Sequence, residues 1–83
     1  MGKSLDGQVL VALSLMSRNT VDGINYMEFV KSGVMNGALG LIESGYAIKI
    51  FKGEDDADYR LTQKGIEYFE NIQKYASEQF QVR

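Results

Sequence analysis

Four carboxylates fall within five positions, Glu54, Asp55, Asp56 and Asp58, with Lys49 and Lys52 before them and Arg60 after. Oxygen ligands packed this densely could hold a divalent cation. A calcium loop, however, needs Asp, Asp or Asn, Gly and a distant Glu in a fixed order that this run lacks. Paired carboxylates could also do acid–base chemistry if an apolar cleft or a partner group shifted their pKa values, and the sequence identifies neither. A solvated turn is the simpler reading. The chain contains no Cys and no His. This removes thiolate and imidazole nucleophiles, the common zinc sites and disulfide stapling together. An enzyme is not expected, nor a metal or a cofactor.

The elements that carry these residues follow from composition and period. Apolar residues are 45% of the 83 positions and charged residues 24%, the balance of a folded chain rather than a disordered one, and the length suits one domain spanning 1–83. The longest apolar run, Val9 to Leu13, is too short to span a bilayer. The first residues lack the pattern of a secretory signal, so a cytoplasmic location and no membrane partner are expected. Ser4 or Asp6 can cap a first helix running to about Arg18, with Leu5, Val9, Ala12, Leu13 and Met16 at helical spacing. Leu10, Val11 and Leu15 add a second apolar face, which predicts a central or dimer-buried helix.

Val21 to Ile24 predicts a brief extended segment around Gly23, after which Asn25 can cap a second helix with Tyr26, Met27, Phe29 and Val30 as its stripe. Ser32-Gly33 closes that helix. Met35 to Ser44 predicts a third, with Met35, Ala38, Leu39 and Ile42 at spacings of three and four. Two short helices around a glycine turn form a helix-turn-helix pattern. Gly45 then stops the third helix, and the period changes to alternation, with Ile48 and Ile50 on one face and Lys49 and Phe51 on the other. Tyr59-Arg60-Leu61 predicts the antiparallel partner, Tyr59 and Leu61 sharing a face and Arg60 projecting toward Lys49 and Phe51, with the loop tip within Gly53 to Tyr59. Thr62 can cap a last helix over 62–81, close to 30 Å long, striped by Ile66, Phe69, Ile72 or Gln73, Ala76 and Phe80. The fold class is α+β and mostly helical.

The runs Leu41-Ile42-Glu43-Ser44-Gly45-Tyr46 and Tyr59-Arg60-Leu61-Thr62-Gln63-Lys64-Gly65 resemble a pattern of small winged helix-turn-helix regulators, the MarR-like and PadR-like families. There a helix ends in Leu-x-x-x-Gly plus an aromatic or aliphatic residue, and the wing returns through a Tyr-x-Leu-Thr-x-Lys-Gly type run. The resemblance covers about residues 25 to 70. It implies a winged helix acting in transcription regulation, binding double-stranded DNA as a homodimer with the third helix in the major groove and the wing on the backbone. Carried over by position, it implies that Val34, Asn36, Gly37, Gly40 and Glu43 line the exposed face of the third helix. Asn36 would read adenine, and Lys31, Lys49, Lys52 and Arg60 would hold phosphates.

Two features point to an alternative. The third helix carries glycines at 37 and 40 and a carboxylate at 43, where small residues admit a groove or another helix equally well. Residues 25 to 44 carry one lysine against two glutamates, and residues 46 to 61 carry three basic against four acidic groups, a balance that weakens the nonspecific DNA term. The alternative is a winged-helix protein-interaction module, such as a viral or plasmid-encoded adaptor, docking through the acidic wing. Under either reading the last helix exceeds what so small a core can cover. Tyr68, Ile72, Tyr75, Gln79 and Val82 are the expected dimer interface, with Tyr68, Tyr75 and Val82 repeating at sevens.

Overall fold

The computed structural model describes residues 5–80, with the backbone alone at Leu5 and from 77 to 80. In chain order the elements are α1 (Leu5–Met16), β1 (Ile24–Asn25), α2 (Tyr26–Lys31), α3 (Met35–Glu43), β2 (Ala47–Gly53), β3 (Asp56–Leu61) and α4 (Gln63–Phe80). This is an α+β arrangement of four helices with one antiparallel three-stranded sheet, ordered β1-β3-β2. None of these helices is long and apolar enough to cross a membrane.

Local chemistry sets most boundaries. The Asn25 side chain accepts a hydrogen bond from the Met27 backbone N–H at 3.1 Å and starts α2, while Gly33, at φ +70°, turns the chain toward α3. Helix α3 ends where Gly45 takes φ +84°, a left-handed conformation that costs a residue with a Cβ about 1–2 kcal/mol. The carbonyls this exposes are taken up by the next helix. Thr62 Oγ1 donates to the Gly45 carbonyl at 2.8 Å and accepts from the Gly65 N–H at 3.1 Å, and Lys64 Nζ donates to the Ser44 carbonyl at 3.1 Å. One threonine thus caps α4 and ties it to the end of α3. At Gly65 a Cβ would collide with the Tyr46 carbonyl, so the first turn of α4 packs directly on the backbone leaving α3.

The core lies between α1, α3 and the sheet: Ala12, Leu13, Leu15 and Met16, with Phe29, Val34, Ala38, Leu41, Ala47, Ala57, Tyr59 and Leu61. Phe29 and Tyr59 stack at its centre, with ring centroids 5.4 Å apart and planes 22° apart. Burying a Phe side chain is worth about 1.5–3 kcal/mol, and aromatic contact adds roughly 0.5–1.5 kcal/mol.

Several expectations change. Helix α1 ends at Met16 rather than near Arg18, and Asp6 sits in its first turn rather than at its cap; Ser4 lies outside the described residues. Leu10 is 51% exposed, so α1 buries one broad face rather than its whole circumference. On α2 only Phe29 is buried, leaving Met27 and Val30 exposed, and on α3 Leu39 is exposed while Leu41 takes its place inside. The loop tip falls within Gly53 to Tyr59 and is short: β2 runs to Gly53 and β3 starts at Asp56, so Glu54 and Asp55 alone make the turn.

Candidate functional site

The β2–β3 hairpin divides its charged side chains between two faces. Cross-strand partners are Ala47 with Leu61, Ile48 with Arg60, Lys49 with Tyr59, Ile50 with Asp58 and Phe51 with Ala57, and directly opposed residues share a face. Lys49 and Phe51 therefore lie with Tyr59 and Leu61 on the side that continues into the core. Arg60 lies with Ile48, Ile50 and Asp58 on the other. The expectation that Arg60 projects toward Lys49 and Phe51 is corrected: this register places them on opposite faces.

Two of the three hairpin cations are engaged on that outer face. Lys52, beside the irregularity between Phe51 and Gly53, pairs with Asp58 at 3.3 Å, and Arg60 Nη1 donates to the Val21 carbonyl at 3.3 Å. Lys49 instead sits 4.7 Å above the centroid of its own face neighbour, Phe51, whose ring is 75% exposed. Asn25 ties the hairpin to the start of α2. Its Nδ2 donates to Asp56 Oδ1 at 2.7 Å, to the Ala57 carbonyl at 3.3 Å and to Asp58 Oδ1 at 3.4 Å. The sequence marked Asn25 only as a cap, and its pairing with the hairpin was not legible because 31 residues separate it from Asp56.

Between the inner face of the hairpin and the starts of α2 and α3 lies a cleft of about 270 Å³, lined by Tyr26, Met35, Lys49, Phe51, Glu54, Asp55, Asp56, Ala57 and Tyr59. Burial in the first place, and the neighbouring Tyr26 phenol in the second, push the Tyr59 pKa above its ordinary value of 10.0. The cleft brings the first residue of α3, Met35, onto the same space as Lys49. None of the described residues form a group of three or more acidic side chains placed to hold a metal ion.

Helix α3 presents Asn36, Leu39 and Glu43 outward, and Lys31 is exposed at the end of α2. Two residues expected on that face are elsewhere. Val34 is fully buried. Gly37 is buried against α1, its N–H donating to Gln8 Oε1 at 3.2 Å, and a Cβ there would lie 2.6 Å from the Gln8 carbonyl oxygen. Gly40 is half-buried and borders a groove shared with Asp6, Val9 and Leu10, on the side of α1. Gly37 thus serves packing against α1, whereas a Cβ at Gly40 would meet nothing within 4 Å.

Of the residues expected at a dimer interface, Tyr68 stacks on Tyr46 of its own chain, with centroids 4.4 Å apart and planes 16° apart. Ile72 is half-buried against the core. Tyr75 is 64% exposed. Gln79 belongs to the stretch described by backbone alone, and Val82 lies outside the described residues. Compared with known protein families, curated proteins and solved structures, the chain matches none.

Proposed function

We propose that this chain is a winged helix-turn-helix module that binds double-stranded DNA as a homodimer and acts in transcription regulation. The reading takes α2 and α3 as the helix-turn-helix, β2–β3 as the wing and α3 as the helix that enters the major groove. The observation that carries it is the placement of the hairpin's inner face, with Lys49, beside the start of α3. Helix and hairpin can then approach one duplex from the same side, Asn36 toward base edges and Lys49 toward a phosphate. Lys31, at the end of α2, supplies a second phosphate contact. A dimer doubles these few contacts, and two half-sites one helical turn apart raise affinity by avidity. Exposed Tyr75 on α4 is the contact favoured for the second copy. Fluorescence anisotropy of the purified protein on a duplex from its own upstream region tests the reading. Binding that weakens steeply with salt supports it, and the absence of any salt-sensitive binding near physiological ionic strength removes it.

A second reading is favoured by the pairing of Lys52 with Asp58 and of Arg60 with the Val21 carbonyl. These contacts hold two hairpin cations away from the cleft side and leave Glu54 and Asp55 at the tip. On this reading the module docks a protein through the acidic hairpin. Asp55→Lys separates the two: it strengthens duplex binding if DNA is the partner and weakens capture of a protein partner if it is not.

A further inference from the structure

We propose that β2 pairs edge to edge with β2 of a second copy, antiparallel about a two-fold axis at Ile50, so that one sheet runs through the dimer. In the order β1-β3-β2 the seven residues of β2 form an edge, and among the described residues no strand pairs with its far side. Ile48, Lys49 and Phe51 along it are exposed. Two contacts show which backbone groups this edge offers. The Thr62 N–H donates to the Tyr46 carbonyl at 3.0 Å, one step beyond the Ala47–Leu61 pair, and the Ala57 carbonyl turns away from β2 to accept from Asn25 Nδ2 at 3.3 Å. Backbone groups alternate in direction along a strand, so Ile48 and Ile50 bond to β3. Those of Ala47, Lys49 and Phe51 face outward, an unpaired row of the kind that templates another strand.

The side chains select a second copy and its register. A two-fold axis normal to the sheet must pass through one residue of β2 if like faces are to stay together. Centred on Lys49, it sets two ammoniums directly opposite each other, which is destabilising. Centred on Ile48, it sets Phe51 against Gly45, outside the strand. Centred on Phe51, it puts the irregularity between Phe51 and Gly53 beside the axis. Centred on Ile50, Lys49 of each copy lies opposite Phe51 of the other. Lys49 already sits 4.7 Å over the Phe51 ring of its own chain, so two ammoniums and two exposed rings alternate across the axis. The ends match as well. The same register carries the acidic Glu54-Asp55 turn of each copy past Ala47 of the other, toward the exposed Lys64 ammonium that lies 4.7 Å over the Tyr46 ring. At the opposite side of the sheet β1 is two residues long and offers no comparable edge, so the assembly closes at two chains. The DNA-binding reading needs a dimer but not this one: the edge contact competes with Tyr75 of α4 for the two-fold, and it is tested with no duplex present.

The sequence has no cysteine, so I50C introduces a single thiol. In the proposed pairing Ile50 faces its own copy at a non-hydrogen-bonded site, where Cα atoms lie about 4.5 Å apart, within the span of a disulfide. Oxidised glutathione should convert I50C to a disulfide-linked dimer, whereas I48C, set opposite Lys52, should run as a monomer on a nonreducing gel. Sedimentation of the cysteine-free chain should show a concentration-dependent dimer. Phe51→Lys, at an exposed position and with circular dichroism matching the native chain, places a lysine opposite Lys49 at both symmetric sites and should weaken that dimer roughly tenfold. K49E/F51K restores opposite charges across the axis and should recover it. A monomer at every concentration overturns the proposal, as does equal crosslinking of I50C and I48C. A dimer lost in Tyr75→Ala but kept in Phe51→Lys also overturns it, by assigning the two-fold to α4. An edge dimer that binds no duplex upholds this contact while removing the DNA-binding reading.

Discussion

The backbone N–H of Gly37 donates to the Gln8 side chain at 3.2 Å, and the space a Cβ would need at 37 is filled by the Gln8 backbone. The α1–α3 contact is therefore as close as two helices can come at this point. Gly37→Ala should force them apart and cost about 1–3 kcal/mol, the range for overpacking a filled core. Gly40→Ala, where a Cβ meets nothing within 4 Å, should be neutral or slightly stabilising, because alanine is the better helix former. Thermal melts of the two variants decide this, and equal melting temperatures would contradict the packing role of Gly37.

That pair also marks where the sequence stopped being informative. Gly45, Thr62, Gly65 and Asn25 were legible because caps, left-handed turns and first-turn packing are local, set by residue type over three or four positions. The face of Arg60 was not. It depends on the cross-strand register, and register is fixed by a turn as short as Glu54-Asp55 with an irregularity at Lys52, neither of which leaves a residue signature among so many acidic positions. Gly37 and Gly40 look alike in sequence, and only the position of α1 distinguishes the packed glycine from the open one. The cleft was equally invisible, being built from four elements that meet only in three dimensions.

Thr62 joins two helices through one hydroxyl, donating to the Gly45 carbonyl and accepting from the Gly65 N–H. Thr62→Ala should cost about 0.5–2 kcal/mol, the usual loss for an N-cap. Thr62→Ser should recover most of it. Urea denaturation of the three proteins, with unchanged slopes, is the appropriate measurement; a serine variant as unstable as the alanine variant would show that the methyl group matters rather than the hydroxyl.

Asn25 offers a sharper contrast. Its Oδ1 caps α2 while its Nδ2 faces the carboxylates of Asp56 and Asp58. Asn25→Asp preserves the cap but replaces the donor with a third negative charge. It should therefore be less stable than Asn25→Ala at low ionic strength, with added salt narrowing the difference through screening. If the aspartate variant is the more stable of the two, the link between α2 and the hairpin contributes less than the cap alone.

Tyr59 makes stability depend on alkaline pH. Burial, then the Tyr26 phenol, raise its pKa above 10.0, so the folded chain holds the phenolic proton more tightly than the unfolded chain does. Below pH 10 both states are protonated and the contribution is constant. As pH rises from there toward the folded-state pKa, only the unfolded state loses its proton, and stability falls. Tyr59→Phe removes this group and should flatten the alkaline limb of the stability curve relative to the native chain. Superimposable limbs for the two proteins would mean that Tyr59 does not contribute to it.

The DNA-binding reading makes the hairpin lysines unequal, which a simple count of positive charges would not. Lys49 stands on the inner face beside the start of α3, whereas Lys52 is paired with Asp58 on the outer face. A lysine that contacts a phosphate releases counterions, and its loss lowers the slope of log affinity against log salt by roughly 0.9 for each phosphate given up. Lys49→Ala should therefore weaken duplex binding and reduce that slope by about 1 per protomer. Lys52→Ala should change it much less and should leave the Asp58 carboxylate with the Asn25 amide but no ammonium partner, at a modest cost in stability. Anisotropy titrations at several salt concentrations separate the two. Equal slopes for both variants would place the duplex away from the inner face, and with it the proposed approach of α3 and Lys49 from a common side.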